Sequence, residues 1–235
     1  MDNARIGNFT SSKIFNLMTL ATNKIDFGKP ALTYIKQKCR ERKLKIEYEL
    51  ESNSFPTSWG RAVESYVFKK YIPMSFKYES DKTTSHPSGM WVGTKDVLSK
   101  DTVGDIKCPF TRNSFCDLVE VIQSNDPEFF KKNEPEYYWQ LVSNAMLENT
   151  DFAQLFVFMP YYKELPALFD HFGDIDDYNL QKDIQWAIHA ETNRVPHLPD
   201  NSDYTNFYSF RFEVPTKDKE LLLSKITKAY DLIIK

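Results

Sequence analysis

The spacing of apolar residues changes texture twice along the chain. "TSSKIFNLM" sets hydroxyl residues before an apolar run at helical intervals, which predicts a helix starting at Ser11 or Ser12. A second helical stretch is expected over about 30–50. "FPTSWGRAVESYVFKKYI" opens on Pro-Thr-Ser, spaces Trp59, Val63, Tyr66 and Lys70 helically, and is closed by Pro73. The pattern then turns to strands: "MSFKYES" alternates, "GMWVGT" is short and apolar, and "TVGDIKCP" stops at a proline that cannot continue a ladder. Helices are expected again over about 111–123 and 135–148, followed by a buried strand, "FAQLFVFM", that Pro160 halts. An acidic irregular region leads to a helix near 178–191, then the alternating "NFYSFRFEV" and a terminal amphipathic "KELLLSKITKAYDLII". Helices at both ends around a mixed central sheet predict an α/β or α+β layered fold. No linker divides residues 1–235, so one domain is expected.

Composition narrows the class. With 41% hydrophobic, 15% aromatic and 27% charged residues, the chain reads as a soluble globular protein. No apolar run approaches a membrane span, and "MDNARIGNFTSSKIF" lacks a signal-peptide core, so no membrane and a cytoplasmic setting are expected. Cys39, Cys108 and Cys116 are too few for a disulfide framework or an iron–sulfur cluster and are not spaced for zinc. His86, His171, His189 and His197 show no ligand-like spacing, and seven glycines without a phosphate-binding loop argue against an ATP motor. The net charge of −3 hides an asymmetry. "KQKCRERKLK" carries six basic residues against Glu41 alone, while nine acidic residues between Glu164 and Tyr204 meet only Lys182 and Arg194. The basic run reads as a solvated helix face; one side that holds nucleic acid is the sharper alternative.

The candidate chemistry lies in "WVGTKDVLSKDTVGDIKCPF". On a strand over Val103–Lys107, Asp105 and Lys107 share a face and Ile106 points oppositely into the core. Gly104 beside them leaves room for a ligand or backbone to come close. Asp96, on a strand joined by "SKDT", can be brought alongside Asp105. Two adjacent carboxylates repel unless a cation lies between them or one is protonated, and Mg²⁺ suits one or two carboxylates with water and substrate phosphate. Taken alone, the spacing favours a pair of turn carboxylates, with Lys107 paired to one of them.

The flanking text carries more. "GDIKCPFT" resembles the active-site strand and exit of the bacteriophage lambda exonuclease and YqaJ-type recombination nucleases, within the PD-(D/E)xK superfamily. "RIGNFTSS", "WGRAVESYVF", "GTKDVL" and "EYYWQLVSNAML" are similar to further segments of that family in the same order, over roughly 5–160. The resemblance implies a restriction-endonuclease-like core with a central mixed sheet flanked by helices. It implies Asp96, Asp105, Glu64 and the Ile106 carbonyl as metal ligands, Lys107 placing or activating water, and Gln140 beside it. Arg5, Ser12, Thr94 and Tyr137 would contact DNA and its 5′ phosphate, and Gly60, one turn before Glu64, would let that helix sit close. Two Mg²⁺ ions, with Mn²⁺ as substitute, would serve phosphodiester hydrolysis from the 5′ end of linear double-stranded DNA. A ring-shaped homotrimer, a single-strand annealing partner and a phage or prophage origin in a bacterial host follow from the same resemblance. A site-specific or structure-specific DNA endonuclease of the same superfamily, or a non-catalytic DNA-binding or assembly protein on the same scaffold, are the alternatives. Two departures from the family pattern are Lys95 where it has Pro and Asp105 where Glu is commoner.

Overall fold

The computed structural model describes residues 3–22, 26–47 and 54–234. In chain order the strands and α-helices are β1 (Phe9–Thr10), α1 (Lys29–Leu44), α2 (Phe55–Tyr71), β2 (Lys77–Tyr78), β3 (Thr83–Ser85), β4 (Trp91–Thr94), β5 (Val97–Leu98) and β6 (Thr102–Lys107). They continue with α3 (Arg112–Gln123), α4 (Pro127–Asn133), α5 (Pro135–Glu148), β7 (Phe152–Phe158), α6 (Leu165–Gly173), α7 (Tyr178–His189), β8 (Phe207–Glu213) and α8 (Thr216–Ile234). The helix expected from Ser11 is a 3-10 segment, Ser11–Met18. α1 ends at Leu44, where Lys45 turns left-handed, rather than running to Leu50, which lies outside the described residues. The acidic region before α7 is not irregular throughout, because α6 forms there around buried Leu165, Leu168 and Phe172. β3 and α4 also carried no sequence expectation.

Five strands form the central sheet in the order β2-β5-β6-β7-β8, with β6 and β7 parallel and the other pairs antiparallel. A smaller sheet, β1-β4-β3, is linked to it where the chain passes from β4 to β5 through Lys95 and Asp96. Strand alternation sorts the core into two faces. Val103, Leu155, Val157, Phe210 and Phe212 pack beneath α3, α5 and α8, against Phe115, Tyr138, Leu141 and Ile226. Ile106, Phe156, Phe158 and Val97 face α2, α6 and α7, against Trp59, Val63, Phe172 and Ile184. Each large side chain buried this way contributes about 1.5–3 kcal/mol. Gly104 belongs to this packing: a Cβ there would lie 2.6 Å from Val97 Cγ2 and 2.9 Å from Phe156 Cε2, so core side chains, not a ligand, fill the space beside it. Gly60 differs from expectation too, since a Cβ there would meet nothing within 4 Å, so it grants no close approach.

The basic run on α1 is only partly a solvated face. Lys38 (3% exposed) and Glu41 (0%) form a buried pair at 2.8 Å, and Glu41 also accepts the Gly7 N–H at 3.0 Å. Arg42 donates to the Gly7 carbonyl at 2.9 Å and to the Tyr230 hydroxyl at 2.7 Å. Gly7 has φ of 68°, and a Cβ would stand 2.1 Å from Arg42 Cγ, so no other residue fits "RIGN" against α1. These bonds dock the N-terminal segment, and with it the Ser11–Met18 helix, onto the domain. Glu41→Ala leaves the Lys38 ammonium and the Gly7 amide unpaired, and it is expected to lower unfolding free energy by about 3–5 kcal/mol in a urea titration.

Candidate active site

The site forms at an edge that β5 leaves open. β5 pairs with β6 at Val97↔Gly104 and Leu98↔Val103, so among the described residues no strand lies beside the last part of β6 on that side. The Asp96 side chain takes the missing place: its Oδ2 accepts the Ile106 N–H at 2.6 Å, while its backbone N–H donates to the Gly104 carbonyl at 3.3 Å. Because a strand residue directs its N–H and C=O to the same edge, the Ile106 carbonyl also points to this open side.

Asp105 and Lys107 face α5, opposite to Ile106, as alternation requires. Asp105 is 2% exposed; its Oδ1 accepts from Gln140 Nε2 at 2.8 Å, and its Oδ2 is ion-paired with the Lys107 ammonium at 2.6 Å. The Lys107 ammonium also lies 5.2 Å from the centre of the Tyr137 ring. Gln140 and Tyr137 come from successive turns of α5, which places both over β6. Glu64 arrives from α2, and its Oε1 accepts the Tyr78 hydroxyl at 3.0 Å. Tyr78 stacks on Phe68, with ring centres 4.9 Å apart. No sequence pattern singled out Tyr78, because its role arises only from the packing of β2 against α2.

The charges are unbalanced. Burial, with Asp105 adding repulsion against the relief of the Tyr78 bond, pushes the Glu64 carboxyl up to about 7. Burial and the neighbouring Glu64 and Asp105 hold Asp96 well above the usual carboxylate range. Burial alone would lower Lys107, but Asp105 and Asp96 override it and keep its ammonium charged. One ammonium thus faces three carboxylates. Among the described residues, no three His, Cys, Asp or Glu side chains form a metal cage by themselves. A hard divalent ion needs only one or two carboxylates, completed by water and substrate oxygens. The clustering of Asp96, Asp105 and Glu64 around a single ammonium and the open side of Ile106 fit such an ion.

Glu64 and Asp96 also line a cleft of about 410 Å³ between α2, α6 and α7, edged by Arg61, Lys69 and His171. His171 accepts or donates to Ser65 Oγ at 2.8 Å. Other candidates fall elsewhere. His86 stacks on Trp91 and bonds Ser88, and Cys108, its thiol pushed up by burial, packs in the second core face. Arg5 ends a short 3-10 turn, and Ser12 is exposed at the start of the 3-10 helix beside buried Ser11, which bonds Ser143 of α5 at 2.8 Å. Thr94 closes β4, and its carbonyl accepts from Asn144 at 3.1 Å. Asp101 and Lys100 stay in the exposed β5–β6 turn.

Lys95 resolves one departure. It is 3% exposed and pairs with Glu148 at 2.8 Å and Glu79 at 3.1 Å, and it donates to Thr84 at 3.1 Å. The Glu79 N–H in turn donates to the Asp96 carbonyl at 2.8 Å. A buried ionic anchor therefore holds the residue before Asp96, where a proline would have stiffened the backbone.

Lys95→Met is expected to cost about 1–3 kcal/mol in a denaturant titration, since Glu148 keeps only the Thr84 hydroxyl while Glu79 keeps Lys82, and adding Glu148→Gln should recover part of the loss. The Glu64 carboxyl sits above its ordinary 4.5 in the folded chain. The folded state therefore holds a proton there that the unfolded state releases, so metal-free stability should fall as pH rises from about 4.5 to about 7. Urea midpoints at several pH values should show this fall, and Glu64→Gln should flatten it.

No protein-family model and no curated protein sequence matches the chain. Solved structures do. The alkaline exonuclease LHK-Exo of Laribacter hongkongensis superposes with a TM-score of 0.60 at 15% identity, over 98% of this chain and 89% of that one. Its complex with dAMP superposes at 0.61 and 15% identity, over 98% and 90%. A phage-related exonuclease of Haemophilus somnus superposes at 0.58 and 11% identity, over 96% and 93%. Across nearly its whole length, this chain shares the mixed α/β fold of these solved structures.

Proposed function

We propose that this protein is a metal-dependent DNA exonuclease that works from the ends of linear duplexes. The observation that carries the reading is the meeting of Asp96, Asp105 and Lys107 on the open edge of β6, with Gln140 and Tyr137 above and Glu64 beside them. The exonuclease fold of its structural neighbours supports it. Asp96, Asp105 and the Ile106 carbonyl, with Glu64 at the margin, would hold Mg²⁺ or Mn²⁺, which supplies Lewis acidity at the phosphodiester.

The protein's own groups have separable tasks. In the metal-free site Asp105 and Asp96 keep Lys107 protonated, and its ammonium would serve as a cation where negative charge builds on phosphate oxygens. The Tyr137 ring and Asp105 hold that ammonium in place. Gln140 fixes the orientation of the Asp105 carboxylate through its amide N–H, and Tyr78 does the same for Glu64 through its hydroxyl. By the family resemblance, Arg5, Ser12 and Thr94 lie toward a 5′ phosphate and digestion runs from 5′ to 3′. The same resemblance suggests a homotrimer around DNA, acting in phage-type recombination beside a single-strand annealing protein.

A time course on end-labelled linear duplex, with and without a 5′ phosphate and beside a closed circle, tests the reading. Mg²⁺ should support release of nucleotides from the linear substrate, and EDTA should stop it. Asp96→Ala and Lys107→Ala should each reduce the rate by about 10²-fold or more. Undiminished hydrolysis by either variant would refute the site, and cutting of the circle would favour an endonuclease.

A further inference from the structure

A second concavity, of about 530 Å³, lies between the Ser11–Met18 helix, the first half of α1 and the start of α5. Lys13 and Phe15 line one wall, Lys29, Tyr34 and Gln37 the other, and Glu136 closes the end. Glu136 directly precedes Tyr137, whose ring faces the Lys107 ammonium, so the groove ends beside the candidate active site.

Its cations stand where the fold does not favour them. Lys29 is the first residue of α1, against the positive end of the helix dipole, and the first turn holds no acidic residue to compensate. Lys13 is lowered by burial and by the nearby Lys38 charge, although Glu41, Glu47 and Glu136 oppose the effect. Beyond the groove, Lys36 and Lys43 follow Lys29 at seven-residue intervals, and all three are exposed. Two helical turns separate each pair, so they form one stripe about 21 Å long on α1. Phe15 adds a half-buried aromatic surface on which a nucleobase could stack. The volume suits a small ligand or a segment of one strand, not a duplex.

We propose that this groove and the α1 lysine stripe hold a single strand of DNA on the approach to Lys107. The assignment rests on the nuclease reading and extends it to a strand path that uses Lys13, Phe15, Lys29, Lys36 and Lys43. Phosphates lie along the lysines, and a base meets Phe15. The acidic Glu164–Tyr204 region, which contributes α6 and α7 to the other cleft, is a poor surface for the same polyanion.

Fluorescence anisotropy of the full chain with a labelled oligothymidylate, in EDTA and over a range of salt, tests it. Lys29→Gln/Lys36→Gln/Lys43→Gln changes only exposed side chains and should leave the melting temperature unchanged. Its affinity should fall at least about tenfold at low salt, and the slope of log K against log salt should become shallower by about 2, at roughly 0.7 per phosphate contact. Phe15→Ala should weaken binding several-fold with the slope unchanged. Lys163→Gln/Lys182→Gln/Lys217→Gln, on exposed sites of other elements, should match the wild type. A stripe variant with the wild-type slope, or a wild-type chain that does not hold the oligonucleotide, would overturn the proposal. Binding by a wild-type chain that hydrolyses nothing would instead sink the nuclease reading and leave the groove standing.

Discussion

The hydrogen bond from the Ile106 amide to Asp96 Oδ2, 2.6 Å long, is the contact on which the site depends. A strand edge in a protein interior presents amides and carbonyls that need partners. Here a carboxylate stands in for the strand pairing that is missing before β5 begins at Val97. That substitution brings Asp96 beside Asp105 and leaves the Ile106 carbonyl open. The parallel pairing of β6 with β7, in register from Thr102↔Phe152 to Lys107↔Val157, makes the arrangement rigid from the other side. α5 completes it by lowering Gln140 onto Asp105 and Tyr137 onto Lys107.

Two acidic clusters lie close together and are treated differently. Around Lys95, the Lys95 and Lys82 ammoniums and the Thr84 hydroxyl answer Glu79 and Glu148, and Lys95 is buried as an anchor. Around Lys107, the ammonium answers Asp105, while Asp96 and Glu64 remain unbalanced and are driven toward their protonated forms. Buried like charges without a counterion are costly, and folded proteins retain such arrangements mostly where they serve chemistry. The contrast between adjacent residues 95 and 96 separates a structural ion network from the cluster proposed to hold a cation.

Much of the fold was legible in the chain because it depends on local rules. Thr111 caps α3, Pro135 starts α5, Pro109 follows the end of β6, and Ser54 with Pro56 begins α2, each by short-range bonding or sterics. What failed involved distant partners. Gly104 was read as room for a ligand, but Val97 and Phe156 fill that space, and Gly60 was read as a close approach, but it faces open space. The α1 basic run was read as one solvated face, yet Lys38, Glu41 and Arg42 serve to dock Gly7. α6 was hidden because the charges around it mask a short apolar face, which gains meaning only against α2 and α7.

By itself, the sequence determined the alternation that puts Asp105 and Lys107 on one face, the short hairpin that returns Asp96 to them, and the helix carrying Gln140 and Tyr137. These follow from strand period, turn length and helix spacing, which a chain carries in its own order. Tertiary structure alone decided that β5 begins only at Val97, that Tyr78 reaches Glu64, and that Lys95 is anchored while Asp96 is held well above the usual carboxylate range. Burial and electrostatic balance are sums over elements far apart in the chain, so no local pattern could have stated them.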